Sequence, residues 1–149
     1  MLGSLKFSKD VIKQKLLCAK NGKEKEALNF AVESVNFVKR NFTNSLGSER
    51  LELIKIFHEA QTIFNYLGEK QNCFKCRKKN LINAFSTYSV LHNCKNESIE
   101  FRILCGTYLK ETFDSIEALY IEKNKLYEIN VLRKKFKQKY NPLILVNND

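Results

Sequence analysis

Apolar residues recur at three- and four-residue steps over most of this chain, the spacing of helices that bury one face. Between Ser8 and Phe42, the residues Leu28, Ala31, Val35, Val38 and Phe42 form one stripe, flanked by Ala27, Phe30, Ser34 and Phe37. Ser8 suits an N-cap, since its hydroxyl can accept a bond from a first-turn amide. Gly22 interrupts the segment at a cost of about 1 kcal/mol relative to alanine in a helix interior, which makes Asn21-Gly22 a point of kink or break. Turn and cap residues then gather in Asn44-Ser45-Leu46-Gly47-Ser48 and predict a tight reversal; Gly22-Lys23-Glu24 is the competing site for it. Beyond it Leu53, Ile56, Phe57, Ala60, Ile63, Phe64, Leu67 and Phe74 repeat with helical spacing. The two segments are therefore expected to seal their stripes as a long antiparallel hairpin over about residues 8–74.

The second half predicts shorter helices over about residues 81–137. Cys73 to Asn80 is polar and basic, and a helical pattern follows from Leu81 to Leu91, with a break at His92 to Asn96. Asn96 is placed to cap the next helix, with Glu97 and Glu100 in its first turn facing the positive end of the dipole. That helix carries Phe101, Leu104, Cys105, Tyr108, Leu109, Phe113, Ile116, Leu119 and Tyr120. Apolar residues on more than one side imply packing between neighbours. The pattern weakens near Asn124, and a last helix spans Leu126 to Lys137 before Asn141-Pro142 stops it. Residues 138–149 read as a short tail. At 149 residues the chain can bury one real core but hardly two, so a single all-α domain is expected.

Composition sharpens this. One proline and five glycines are too few to punctuate a many-stranded β fold. No run approaches the roughly 18 apolar residues of a membrane span, and Lys6 and Lys9 interrupt the stretch where a signal peptide would carry its apolar core. A cytoplasmic location is expected. The net charge of +10 favours acidic partners: anionic lipid, nucleic acid or acidic protein surfaces. It is concentrated in Lys6, Lys9, Lys13, Lys15 and Lys20, in Lys75, Arg77, Lys78 and Lys79, and in Arg133, Lys134, Lys135, Lys137 and Lys139. Each cluster reads either as solvated surface or as an acidic-partner or membrane surface. Five unevenly spaced cysteines read as reduced thiols rather than a disulfide framework. Cys73, Cys76, His92 and Cys94 could supply four ligands to a structural zinc, but single-turn cysteine pairs are common in reduced chains, so no metal or other cofactor is the primary reading. Glycine-rich phosphate loops are absent, and neither His58 nor His92 sits in a sequence context that suggests a nucleophile. No enzyme is expected.

A family likeness lies in the order of landmarks: Leu81-Ile82-Asn83-Ala84-Phe85, Asn96 to Leu104, Leu126 to Phe136, and Asn141-Pro142-Leu143-Ile144-Leu145-Val146. With the opening Met1-Leu2-Gly3-Ser4, they resemble the core of the increased-sodium-tolerance family. These are ESCRT-III-like helical proteins that regulate the AAA ATPase of vacuolar protein sorting. The resemblance implies a two-helix hairpin with shorter helices along it. It implies binding to the C-terminal helix of an ESCRT-III subunit of the charged multivesicular body protein type, co-assembly into polymers, and work at the periphery of endosomal membranes.

The chain departs from the family after Pro142, where a further helix would fold back on the hairpin and a long tail would bind the ATPase. Residues 143–149 are too few for a stable extra helix, so contact with the ATPase is expected to be indirect. The missing helix should leave an apolar groove, for which Phe30, Phe37, Phe57 and Phe64 are the candidates. Two other classes remain: a basic helical protein that binds RNA or a ribosomal particle, and a small zinc-stabilised interaction domain. The basic runs lack the interleaved aromatics of single-strand binders, so nucleic acid is the less favoured partner.

Overall fold

The structure is a computed structural model and describes residues 6–142 and 144, without the Lys9 side chain. All its regular elements are helices: α1 (Lys9–Lys20), α2 (Glu24–Phe42), α3 (Ser48–Lys70), α4 (Phe74–His92), α5 (Ile99–Glu122) and α6 (Leu126–Lys139). The expected all-α class is what the chain adopts. Its contacts gather into two compact units, Met1–Arg77 and Lys78–Asp149, and the division falls near the start of α4.

In the first unit the long first arm is two helices. Ser8 caps α1 as expected, its hydroxyl accepting from Val11 N at 3.4 Å. At the other end Gly22 has φ +93°, and the amides of Gly22 and Lys23 turn back to Ala19 O (3.2 Å) and Cys18 O (2.9 Å). This is a left-handed helix stop, which glycine enters without the Cβ penalty of other residues. The chain reverses there, and α1 lies antiparallel to α2: Lys15 reaches Glu26 at 2.9 Å and Lys6 reaches Glu33 at 3.9 Å. A second reversal comes where it was predicted. Ser45 Oγ and Arg50 Nη1 both donate to Phe42 O, each at 2.6 Å, and the Arg50 guanidinium lies 3.8 Å from the centre of the Phe42 ring. Thus α3 runs antiparallel to α2, and Lys20 of α1 reaches the Tyr66 ring of α3. The three helices share a core of Phe7, Ile12, Ala27, Phe30, Phe37, Leu53, Ile56, Ile63 and Leu67.

Two further left-handed stops occur at Asn72 (φ 51°) and Asn124 (φ 55°). Cys73 N returns to Gly68 O at 3.0 Å and Lys125 N to Tyr120 O at 2.8 Å, the same pattern as at Gly22. Because the stop at Asn72 ends α3 and the next helix starts at once, α4 begins at Phe74 rather than near Leu81, and Phe74 belongs to α4. The polar run Lys75 to Asn80 is simply a helical stretch with its lysines exposed. The N-cap of α5 is Ser98, whose hydroxyl accepts from Phe101 N at 3.2 Å, not Asn96.

In the second unit α5 is the central helix, running antiparallel to both neighbours. Tyr88 of α4 packs on Tyr108 of α5 (5.6 Å between ring centres), and Arg133 of α6 pairs with Glu117 of α5 at 2.8 Å. It follows that α4 and α6 run in the same sense. The core here is Leu81, Phe85, Tyr88, Phe101, Cys105, Leu109, Phe113, Ile116, Leu119, Ile129 and Leu132. Among the described residues no helix is long and apolar enough to cross a membrane.

Candidate functional site

The four phenylalanines expected to line a groove do not form one. Phe30 and Phe37 are 9% and 7% exposed, because α1 folds back and sets Phe7 against both, at 5.5 and 4.9 Å between ring centres. Phe57 and Phe64 are half-buried against the same core. The place expected to be open for a partner is taken by the chain's own first helix. Residues 143 and 145–149 of the short tail, and the Met1-Leu2-Gly3-Ser4 start, lie outside the described residues.

The first basic cluster is partly engaged within its own unit. Lys6 and Lys15 pair with Glu33 and Glu26. Hydrogen bonding to Glu26 raises the Lys15 pKa above its ordinary value and lowers that of Glu26. Lys13 and Lys20 are exposed. In the last cluster Arg133 is held by Glu117, while Lys134 and Lys135 are exposed and make no ion pair among the described residues.

The zinc set does not assemble. Cys73 and Cys76 are joined as a disulfide, a correction to the reading of all five cysteines as free thiols; Cys18, Cys94 and Cys105 are free. Both ring nitrogens of His92 are already engaged. Nδ1 lies 2.7 Å from Arg102 O, and Nε2 accepts from Asn141 N at 2.9 Å. Among the described residues no group of three or more His, Cys, Asp or Glu gathers to hold a metal ion.

His92 instead ties the second unit together. It is 0% exposed, and the two contacts fix the neutral tautomer with the proton on Nδ1. Burial pushes its pKa below the ordinary histidine value, against an opposing pull from the Arg102 carbonyl. Arg102 returns the bond, Nε to His92 O at 3.0 Å. The ring fits only because Gly106 faces it: a Cβ there would come within 2.6 Å of Cε1. Next to it Asn93 Nδ2 donates to Lys139 O at 2.7 Å and to Ser89 O at 2.8 Å. The C-terminal end of α6 is thus bonded to the C-terminal end of α4 by two consecutive side chains. A column of rings adds to this: Phe113 on Phe136 at 4.2 Å, Phe136 on Tyr140 at 4.8 Å, and Tyr140 on His92 at 5.7 Å, all nearly parallel.

Joined at that end, α4 and α6 leave a cleft of about 720 Å³ between them. Ile82, Phe85 and Val90 line it from α4, and Val131, Leu132 and Tyr127 from α6. Val90 and Tyr127 are 70% and 78% exposed, large apolar side chains left in water. Lys135 and Lys139 line the cleft one turn apart, with Glu128 toward the other end. The α6 wall from Tyr127 to Lys139 spans about 18 Å at 1.5 Å per residue, or some three turns of a partner helix. The geometry offers an apolar floor and a cationic margin. The sequence reading missed this cleft. Its signal was the second apolar side of α4 and α6, where Ile82, Val90, Tyr127 and Val131 fall off the stripe that meets α5.

Comparison with known proteins adds no relative: no protein-family model, curated protein or solved structure matches this chain.

Proposed function

We propose that this protein is a non-catalytic regulator that binds another helical subunit by taking one of its amphipathic helices into the α4–α6 cleft. The observation that carries this reading is the cleft itself, an apolar trough three turns long whose open margin bears Lys135 and Lys139. Helix-in-groove contacts use such a trough for apolar anchors spaced three and four residues apart. Unpaired lysines along one margin favour a helix with carboxylates along its edge. The resemblance to the increased-sodium-tolerance family directs the choice of partner: the C-terminal helix of an ESCRT-III subunit. The work is then to modulate polymer assembly or its disassembly by the AAA ATPase, in multivesicular-body sorting or a related scission event at endosomal membranes. The exposed lysines Lys13, Lys20 and Lys134 are free to meet acidic neighbours in a polymer or anionic lipid, where each contributes about 1 kcal/mol near the surface.

The test is a titration of the protein with labelled C-terminal helix peptides from the same organism's ESCRT-III subunits, at low and high salt, with RNA as control. The expected result is saturable binding to one peptide that survives high salt and is lost in Val131→Glu, which places a charge on the cleft wall. Binding to RNA alone, collapsing steeply with salt as counterion release demands, would move the function to nucleic acid.

A further inference from the structure

Ser89 sits in the last turn of α4, lines the cleft, and is 6% exposed. Its Oγ is buried and has no hydrogen-bond partner. Buried hydroxyls are almost always paired, and other helical hydroxyls of this chain show the usual solution. Ser34 donates to Phe30 O at 2.8 Å, Thr87 to Asn83 O at 2.9 Å and Thr112 to Tyr108 O at 2.7 Å, each reaching the carbonyl one turn back. Ser89 makes no such bond to Phe85. Serine has no β-branch and three staggered χ1 wells, so a turn of this side chain breaks no existing bond.

What stands across the cleft follows from the pairing at its end. Asn93 of α4 bonds to Lys139 of α6, and the two helices run in the same sense. One turn back along each places Ser89 on α4 level with Lys135 on α6. Lys135 is exposed and makes no ion pair among the described residues. A hydroxyl without a partner and an ammonium without a counter-ion therefore stand on opposite walls at the same level of the cleft. The side chain that satisfies both is a carboxylate, which accepts from a hydroxyl and pairs with an ammonium at once.

We infer that Ser89 and Lys135 form a carboxylate subsite that selects, among amphipathic helices, those carrying a glutamate or aspartate at this level of the cleft. Lys139, one turn on, takes a second carboxylate one turn along the same helix. The inference rests on the helix-in-groove reading and adds to it the residue type that the partner must present.

The test uses the full chain and a designed amphipathic peptide with leucines along one face and two glutamates one turn apart on its margin, beside its glutamine counterpart. Wild-type protein is expected to bind the glutamate peptide about tenfold more tightly, the size of a charge-assisted hydrogen bond. Ser89→Ala and Lys135→Met should each reduce that preference, leaving the part that Lys139 supplies. Lys134→Met, which makes the same change of charge one residue outside the cleft lining, should preserve it. Ser89→Ala should also raise the melting temperature of the free protein, since it removes a buried hydroxyl with no partner. Higher stability together with weaker glutamate binding is a pair of effects that a merely structural role for Ser89 does not produce. Equal binding of the two peptides to wild type, or a preference undiminished in Ser89→Ala, overturns the subsite while leaving the groove in place. Failure of both peptides to bind, or binding unaffected by Val131→Glu, overturns the groove reading itself.

Discussion

Replacing Gly106 by alanine tests whether the second unit is held as described. In an ordinary helix interior this change stabilises by about 1 kcal/mol. Here the new methyl would sit 2.6 Å from His92 Cε1 and 2.8 Å from Nδ1, far inside contact distance, so the ring must move. Moving it loosens the bonds to Arg102 O and Asn141 N, each worth about 1 kcal/mol net, and overpacking a filled interior adds about 1–3 kcal/mol. Set against the helix gain, the expected loss is about 2–4 kcal/mol, read as a lower urea midpoint at unchanged slope. The same change in a His92→Ala background should be neutral or stabilising, because the ring it strikes has gone. Such strong coupling is expected of residues in contact. If Gly106→Ala stabilises the protein with His92 intact, the ring is not where the structure puts it, and the account of the α4–α6 junction fails.

Three other outcomes follow from the same structure. His92 is buried neutral with its pKa below the unfolded value of about 6.5, so the unfolded chain binds the extra proton first as pH falls. The stability of the neutral ring is fully present above pH of about 6.5 and declines as pH drops from there toward the lower folded value; urea midpoints measured over that window should show the decline, and His92→Gln should flatten it. Phe37→Ala should cost about 3–5 kcal/mol, the range for a buried aromatic, and Phe57→Ala clearly less, since Phe57 is only half-buried; equal losses would contradict the placement of α1 over Phe37. Thiol labelling of the native, unreduced protein should modify Cys18 and Cys94 but not Cys73 or Cys76, and a chelator should leave the melting temperature unchanged. Labelling at all four, or a chelator-induced drop, would revive the zinc set.

The helices were legible in the sequence because apolar residues recur at helical spacing in α2, α3 and α5, on one face in α2 and on more than one in α5, and the reversal at Gly47 announced itself through a run of turn residues. Less legible was how helices end. Three of them stop by the same left-handed turn, and only the one at Gly22 uses the residue that signals it. Asn72 and Asn124 do the same work with a short polar side chain that tolerates positive φ, and an asparagine is common enough elsewhere to pass unnoticed. Missing Asn72 hid the start of α4, and preferring Asn44 to Ser48 as the one reversal, with Gly22-Lys23-Glu24 only as its competitor, left α1 inside a single first arm. From that followed the misplaced groove, since Phe30 and Phe37 lie open only if nothing folds back across them. The α4–α6 cleft was hidden for a different reason: periodicity counts apolar residues but does not say which of two faces will find a neighbour. Nothing in the sequence around Ser89 distinguishes it from Ser34, whose hydroxyl is paired.

The return of α1 across α2 and α3 sets a quantitative condition on any partner that would use that face. Held by only the three residues Asn21 to Lys23, α1 is a tethered ligand, present at a high effective concentration that no dilution reduces. A foreign helix must wait for it to leave, so its apparent dissociation constant is the intrinsic one divided by the fraction of time the face is bare. If α1 is docked for all but one part in a hundred, binding there is weakened about a hundredfold. Any substitution that loosens α1, such as a larger residue forced into the left-handed turn at Gly22, would sharpen affinity at a distance from the contact itself. The first helix thereby acts as a built-in threshold: it decides how strong an interaction must be before the phenylalanine face takes part in it.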